Sequence, residues 1–286
     1  MTKEHIFACM ALKIPFIIII TKIDLCPSNI LKQTEKDIKK LIKTYNSNKI
    51  IKEIKESNDL IEVVKNISDV KQIPLFKISN VSGNNIDYIK KFFNLLPKRT
   101  FYQKDQPVEF FIDKIYQITG CGTVLSGLLK SGRVKIGDNL YMGPDKTGNY
   151  IEIKVRSIQC KKVSIEEAEA GYYVCFGIKK VNKNLIKKGM VLVSNDNQLV
   201  IRSFWANVVI LKSHSTSIRL NYQPMLHINN IRQCAKIVEI DNGKNVLNLG
   251  DKTRVKFNFV SRPVYIKSGD KIIFREGRLR GIGNVE

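Results

Sequence analysis

The chain has 286 residues, 43% of them apolar, enough for two or three domains with real cores. Its longest apolar run, Ile14 to Ile20, falls far short of the roughly 18 residues that a membrane span needs, so no membrane partner is expected. A net charge of +22, from 48 basic and 26 acidic residues, favours a polyanionic partner, although the heavy use of Lys, Ile and Asn also fits a compositional bias.

In chain order, Thr2 caps a first helix that Pro15 ends. Phe16 to Thr21 then reads as a buried strand of parallel-sheet character, placed in the middle of a sheet. Ser28 or Asn29 starts a second helix with Leu31, Thr34, Ile38, Leu41 and Tyr45 on one face and lysines on the other. Lys49 to Ile67 reads either as a short strand followed by a helix from Ser57 or as one broken helix. Pro74 to Ser79 is a second buried strand, and Asn85 to Leu96 a helix with Ile86, Ile89, Phe92, Phe93 and Leu96 inward. Strand alternating with helix predicts a parallel sheet over residues 1–97.

After Pro97 the pattern changes. Short alternating strands are broken by Gly120, Gly122, Gly132, Gly137, Gly143, Gly171 and Gly189, the pattern of a closed β-barrel. A second β block runs from Phe204 to the end, with Trp205 expected in its core. The boundaries drawn are 1–97, 98–197 and 198–286. The fold class expected is therefore α/β plus all-β, a small parallel sheet with helices followed by two β-barrels. Six cysteines stand singly, with no C-x-x-C pair. That argues against a zinc ribbon or a disulfide framework and fits a reducing, cytoplasmic setting.

Ligands of open α/β sheets sit at the carboxyl ends of the strands. Lys22-Ile23-Asp24 follows one such end and Ser79-Asn80-Val81 another. An ionised carboxylate at Asp24 accepts the adjacent N1 and N2 donors of guanine in bidentate fashion. Lys22 can lie across the ring face, and a backbone N–H in the 79–81 turn can donate to O6. Adenine offers an acceptor where guanine offers a donor, so an unpaired carboxylate would reject it. Arg275, Arg278 and Arg280 form a tight basic hairpin that either packs against a neighbouring domain or contacts RNA phosphates.

Thr21-Lys22-Ile23-Asp24 resembles the N/T-K-x-D motif of translation-factor GTPases, and Ile78-Ser79-Asn80-Val81 their second base loop. The segment from Pro107 to Pro144 is similar to the second domain of elongation factor Tu, with its G-x-G-T-V-x-x-G core. FWANVVILKS and DKIIFREGRLRGIG resemble the third domain. The wording TKIDLCPSN, ISNVSGNNID and GPDKTGNY is closest to the GTP-binding protein 1 and 2 subfamily, and coverage is essentially the whole chain. The resemblance implies a partial P-loop-NTPase-type sheet followed by two barrels of elongation factor Tu domain 2 and domain 3 type. It implies GTP or GDP as ligand, held by Thr21, Lys22, Asp24, Ser79, Asn80 and Val81. It also implies RNA, tRNA or the ribosome as partner.

Departures from the family pattern matter as much. No G-x-x-x-x-G-K-[S/T] is present, and Gly243-Lys244 lacks the earlier glycine. Asp145-Lys146-Thr147-Gly148 fits D-x-x-G by letter but reads as a hairpin turn, and His5 is not the hydrolytic histidine. No catalytic and no metal-ligating residue is assigned, and Mg2+ is expected only with an N-terminal part of the G domain that this chain lacks. The expected chain, a fragment or a natural truncation, is then inactive as a GTPase by itself. A half sheet exposes an edge that the missing G-domain half would cover, so 1–97 is expected to be the least stable part of the chain or to be paired with another chain. The alternative function is a non-enzymatic RNA- or ribosome-binding module of two barrels.

Overall fold

The computed structural model describes residues 2–12, 14–45, 48–67, 72–97, 102–120, 122–179, 181, 185–194, 198–211, 217–276 and 278–286, with only the backbone at 2–4, 7, 11, 45, 276 and 278–280. The chain divides into two compact units, Met1–Phe101 and Tyr102–Glu286.

The first unit carries α1 (Thr2–Ala11), β1 (Ile18–Ile20), α2 (Ser28–Tyr45), β2 (Ile50–Glu53), α3 (Ser57–Asn66), β3 (Gln72–Lys77) and α4 (Ile86–Leu95). Residues 49–67 thus form a strand and then a helix. The three strands make a parallel sheet in the order β1-β3-β2. The expectation for β1 is overturned: it is an edge strand, and Ile19 is 39% exposed. The centre belongs to β3, where Ile73 to Phe76 are all buried. A proline is unusual in a central strand because it has no N–H to donate. Pro74 is accommodated by phase. Ile78 donates to Ile20, so even-numbered positions of β3 face β1, and the β1 pairing starts only at Ile18 opposite Leu75. Ile54, Leu60, Val63, Phe76, Ile78 and Phe92 form the core beneath α3 and α4. Phe93, expected inward, is 57% exposed, because the face of α4 that packs on the core is formed by Tyr88, Ile89, Phe92 and Leu96, and Phe93 lies one position off it.

The second unit opens with β4 (Glu109–Ile118), β5 (Gly122–Ser131), β6 (Arg133–Lys135), β7 (Asn139–Gly143), β8 (Ile151–Cys160), β9 (Val163–Ile165), β10 (Glu167–Glu169), β11 (Tyr173–Ile178) and β12 (Val191–Val193). Pairing runs β11-β5-β4-β12-β7-β8, and β11 also pairs with β8, which closes the ring. Phe110 and Phe176 meet inside it with ring centroids 4.6 Å apart. Asp145 accepts from the backbone N–H groups of Thr147 and Asn149, both at 2.8 Å, so the D-x-x-G letters are indeed the tip of the β7–β8 hairpin.

There follow β13 (Ser203–Ile210), β14 (Ile218–Arg219), β15 (Met225–Ile228), β16 (Ile231–Ile240), β17 (Val246–Leu247), β18 (Lys252–Phe259), β19 (Lys271–Glu276) and β20 (Arg278–Val285). Six of them close a barrel in the order β13-β18-β16-β15-β19-β20. Phe204, Phe257, Phe259 and Phe274 pack at its centre. Trp205 is not in that core, contrary to expectation. Phe204, Ala206, Val208 and Ile210 point inward, so period-two alternation turns Trp205 outward, where Arg254 and Lys256 lie over its ring at 5.0 and 5.6 Å. Gly281 is needed inside the barrel, since a Cβ there would meet the Phe274 ring at 2.1 Å.

The two barrels share a packed contact of Phe111, Val191 and Val193 with Tyr265. Lys267 pairs with Glu109, and Lys130 with Asp270 at 3.5 Å. Arg262, 7% exposed, reaches from the second barrel into the first, donating to the carbonyls of Pro144 at 3.1 Å and Lys188 at 2.6 Å.

Candidate functional site

The two predicted loops lie side by side because β1 and β3 are adjacent parallel strands that end together. After Ile20 the chain turns sharply at Lys22, which has a left-handed φ of 59°, and Leu25 closes the turn by donating to the Lys22 carbonyl at 3.2 Å. Such a conformation costs a non-glycine residue about 1 kcal/mol or more, and it persists only where surroundings enforce it. The enforcing contact is the N–H of Ile23, which donates to the carbonyl of Ile78 at 3.3 Å. Thr21, Lys22 and Asp24 are exposed around this tether, and Asp24 makes no ion pair among the described residues.

The second loop is built around Ser79, which is fully buried. Its hydroxyl accepts from the N–H groups of Val81 and Ser82, both at 3.2 Å, and its own N–H donates to Asn84 at 3.2 Å. The Ser79 side chain therefore orders the loop. Asn80 is exposed and Val81 is 88% exposed. The N–H groups of 79, 81 and 82 are engaged in this way, while the Asn80 N–H has no partner among the described residues.

Two supports were not foreseen. Asn85 takes a left-handed φ of 60° at the head of α4, and its carboxamide donates to the Lys77 carbonyl at 2.9 Å, fixing the loop exit to its entry. The sequence signal was Asn85 itself, since Asn tolerates that region better than most residues. Lys77 holds Glu53 at 2.6 Å and Glu35 at 2.9 Å. Burial pulls the Lys77 ammonium down, but its bonds to the two carboxylates prevail and hold its pKa above the usual lysine value.

Arg275 is exposed on β19, register-paired with Met225 and Leu279, and Arg278 pairs with Glu276 at the start of β20. The register shift between Phe274 and Arg275 leaves Arg280 as the extra residue of a β-bulge. The structure thus places all three on one hairpin, well apart in sequence from the loops at Asp24 and Asn80. No described helix is long and apolar enough to cross a membrane.

Residues 122–193 match the family elongation factor Tu domain 2. GTP-binding protein 1 of Xenopus laevis is 39% identical over 286 residues, covering 100% of this chain and 43% of that protein. GTP-binding protein 2 of Homo sapiens is 33% identical over 290 residues, covering 99% of this chain and 48% of that protein. The chain thus spans less than half the length of these curated relatives. The crystal structure of translation elongation factor SelB from Methanococcus maripaludis, apo form, superposes with a TM-score of 0.74 at 24% identity, over 100% of this chain and 61% of that one.

Proposed function

Because the chain belongs to the translation-factor GTPase superfamily, with elongation factor Tu-like architecture, we propose that Met1–Phe101 holds the guanine base of GTP or GDP. The observation that supports this reading is the backbone tether from Ile23 to Ile78, which joins the Lys22–Asp24 loop to the end of the strand that leads into the 79–81 turn. Asp24 accepts the N1 and N2 donors, Lys22 covers one ring face, and Asn80 N–H donates to O6. Thr21 and Val81 shape the rim, and Ser79 acts from beneath by ordering the turn. The residues present fit the base end of the nucleotide. No phosphate cradle and no Mg2+ position is assigned to them.

The wider reading is a cytoplasmic protein of the translational class that acts on RNA, tRNA or the ribosome, with Arg275, Arg278 and Arg280 among its phosphate contacts. The excess of basic residues supports it. The names of the proteins it resembles contribute GTP binding and translation elongation. Among the described residues β1 pairs on one side only, and its other edge is a surface that further strands of the same domain, or another chain, would cover.

Titration with a fluorescent guanine nucleotide tests the base site. Saturable binding that moves from guanine to xanthine in Asp24→Asn supports it, because the amide presents a donor where the carboxylate accepted. Absence of saturation at any concentration overturns it. That result favours the second reading, a non-enzymatic two-barrel module binding RNA or ribosome, which the packed Tyr102–Glu286 unit suits by itself.

A further inference from the structure

One face of α2 is a stripe of cations. Lys32, Lys36, Lys39, Lys40 and Lys43 are all exposed. At about 3.6 residues per turn they fall within one sector of roughly 100° and run about 17 Å along the helix axis. The stripe lies on the side away from the core, which Ile42 and, in part, Leu31 and Ile38 face. The two acidic residues of α2 fall outside the sector and are engaged. Glu35 holds Lys77 at 2.9 Å, and Asp37 accepts from Gln33 at 3.0 Å.

A general excess of lysine does not produce this arrangement. The same excess acts on α3 and α4, and their outward faces are mixed. Asp59 and Glu62 of α3 hold Lys52, and Asp87 pairs with Lys90 on α4. No ion pair reaches any of the five α2 lysines among the described residues. Like charges three and four positions apart on a helix stand about 5–6 Å from one another and weaken it. The first turn of α2 has no acidic residue either, although the macrodipole favours one there. The stripe therefore costs the helix stability, and a polyanion laid along it would offset that cost.

The chemistry of the stripe narrows the polyanion. The sector holds no aromatic side chain on which an unpaired base could stack, which disfavours a single strand. Ammonium groups only donate, and they suit phosphate oxygens, contacts that position a nucleic acid without reading its sequence. A duplex is a straight rod with roughly one phosphate per 1.7 Å of axis, or about ten over the length of the stripe. We propose that the exposed face of α2 lies along the phosphate backbone of a double-helical RNA segment and positions it without sequence preference. The proposal rests on the RNA reading above. It adds a contact surface within Met1–Phe101 that shares no residue with the base site.

The test is fluorescence anisotropy of two labelled RNA duplexes of unrelated sequence against the full chain, over a series of salt concentrations. The triple variant Lys36→Gln/Lys39→Gln/Lys43→Gln is compared with a charge-matched control, Lys55→Gln/Lys65→Gln/Lys91→Gln, whose exposed lysines stand off the stripe in the same unit. Loss of three phosphate contacts should weaken binding at least roughly tenfold at about 50 mM salt and flatten the slope of log K against log salt by about 2.7, equally for both duplexes. The control should change affinity by no more than about twofold. Lys36→Arg/Lys39→Arg/Lys43→Arg keeps the charge and should keep the slope. Glutamine and arginine are about as helix-favouring as lysine, so the helical circular dichroism of every variant should match the parent and exclude loss of folding. If the chain binds RNA and the stripe variant matches the control in affinity and slope, the stripe is not a contact and the broader RNA reading stands. If poly-glutamate displaces the duplex as well as unlabelled RNA of equal charge does, the surface fits an acidic protein segment and the RNA assignment is overturned. If the unaltered chain shows no salt-dependent RNA binding, the RNA reading and the proposal fail together.

Discussion

The N–H of Ile23 donates to the carbonyl of Ile78, 3.3 Å away, across the ends of two adjacent parallel strands. One backbone bond therefore joins two loops separated by more than fifty positions in the chain. Everything proposed for the base site depends on that junction staying formed, and its neighbour Ser79 is the side chain that keeps the second loop in shape. Ser79→Ala removes a buried acceptor from the N–H groups of Val81 and Ser82. The expected loss is about 1 kcal/mol, the net worth of the lost hydrogen bonding, because Val81 and Ser82 are exposed and water can reach their N–H groups. Hydrogen exchange at Val81 and Ser82 should accelerate, with little change in the β-barrels. Equal protection in the variant would show that the hydroxyl is not what orders this turn.

Arg262 makes a corresponding junction between the barrels, but with a buried charge. Its guanidinium donates to the carbonyls of Pro144 and Lys188, and its own carbonyl accepts from Gln233 at 2.7 Å. Burial pulls its pKa down from the ordinary arginine value. Arg262→Ala should destabilise the Tyr102–Glu286 unit by about 3 kcal/mol, through lost packing and two orphaned carbonyls. Arg262→Lys should recover only part of this, since an ammonium cannot reach both carbonyls as a planar fork does. Urea unfolding followed by Trp205 fluorescence measures both. A lysine variant as stable as the parent would show that the planar geometry is irrelevant.

The strands and helices were legible where a period was clean, and less so where tertiary context chose between two readings. In Ser203–Ile210, Phe204-Ala206-Val208-Ile210 is wholly apolar, while the other phase contains Asn207; that difference was present in the sequence and outweighs the size of Trp205. The run of isoleucines in β1 spoke for burial on both faces, yet burial depends on how many strands flank it, which no local pattern encodes. Lys22, Asp24 and Asn80 were legible from motif and strand ends. Asn85 and Lys77 were not, because their partners lie at distances set by the fold. Arg262 carried no signal at all, following a barrel strand as any loop arginine would.

The acid limb of stability in the first unit should depend on Asp59. Its carboxylate accepts from the backbone N–H of Lys55 at 3.0 Å and of Glu56 at 3.2 Å, and pairs with Lys52 at 3.0 Å. The Lys55 bond first, then the Lys52 contact, hold its pKa below the usual aspartate value. A carboxyl whose folded pKa is depressed contributes stability above its unfolded value of about 3.9, and that contribution is lost as pH falls through the folded pKa. The described helices all lie in Met1–Phe101, so the helical circular dichroism signal reports this unit separately from Trp205. Asp59→Asn should lower the urea midpoint of that signal near neutral pH and flatten its decline in acid. An unchanged acid slope would assign the effect to other carboxyls.

The β8–β9 hairpin offers a test in the opposite direction, by gain of stability. Cys160 pairs with Val163, so Lys161 and Lys162 alone form the turn, with φ of 51° and 69°. A two-residue turn with both centres left-handed favours Asn-Gly, because only short polar or absent side chains enter that region cheaply. Two adjacent ammonium groups at the tip add mutual repulsion. Lys161→Asn/Lys162→Gly should therefore stabilise the Tyr102–Glu286 unit by about 1 kcal/mol, read as a higher urea midpoint of Trp205 fluorescence. If the midpoint instead falls, the lysines are making contacts that outweigh the strain. A gain in stability with weaker RNA binding would mean that the strained turn is kept for its charge, since strain of this kind persists where a function holds it.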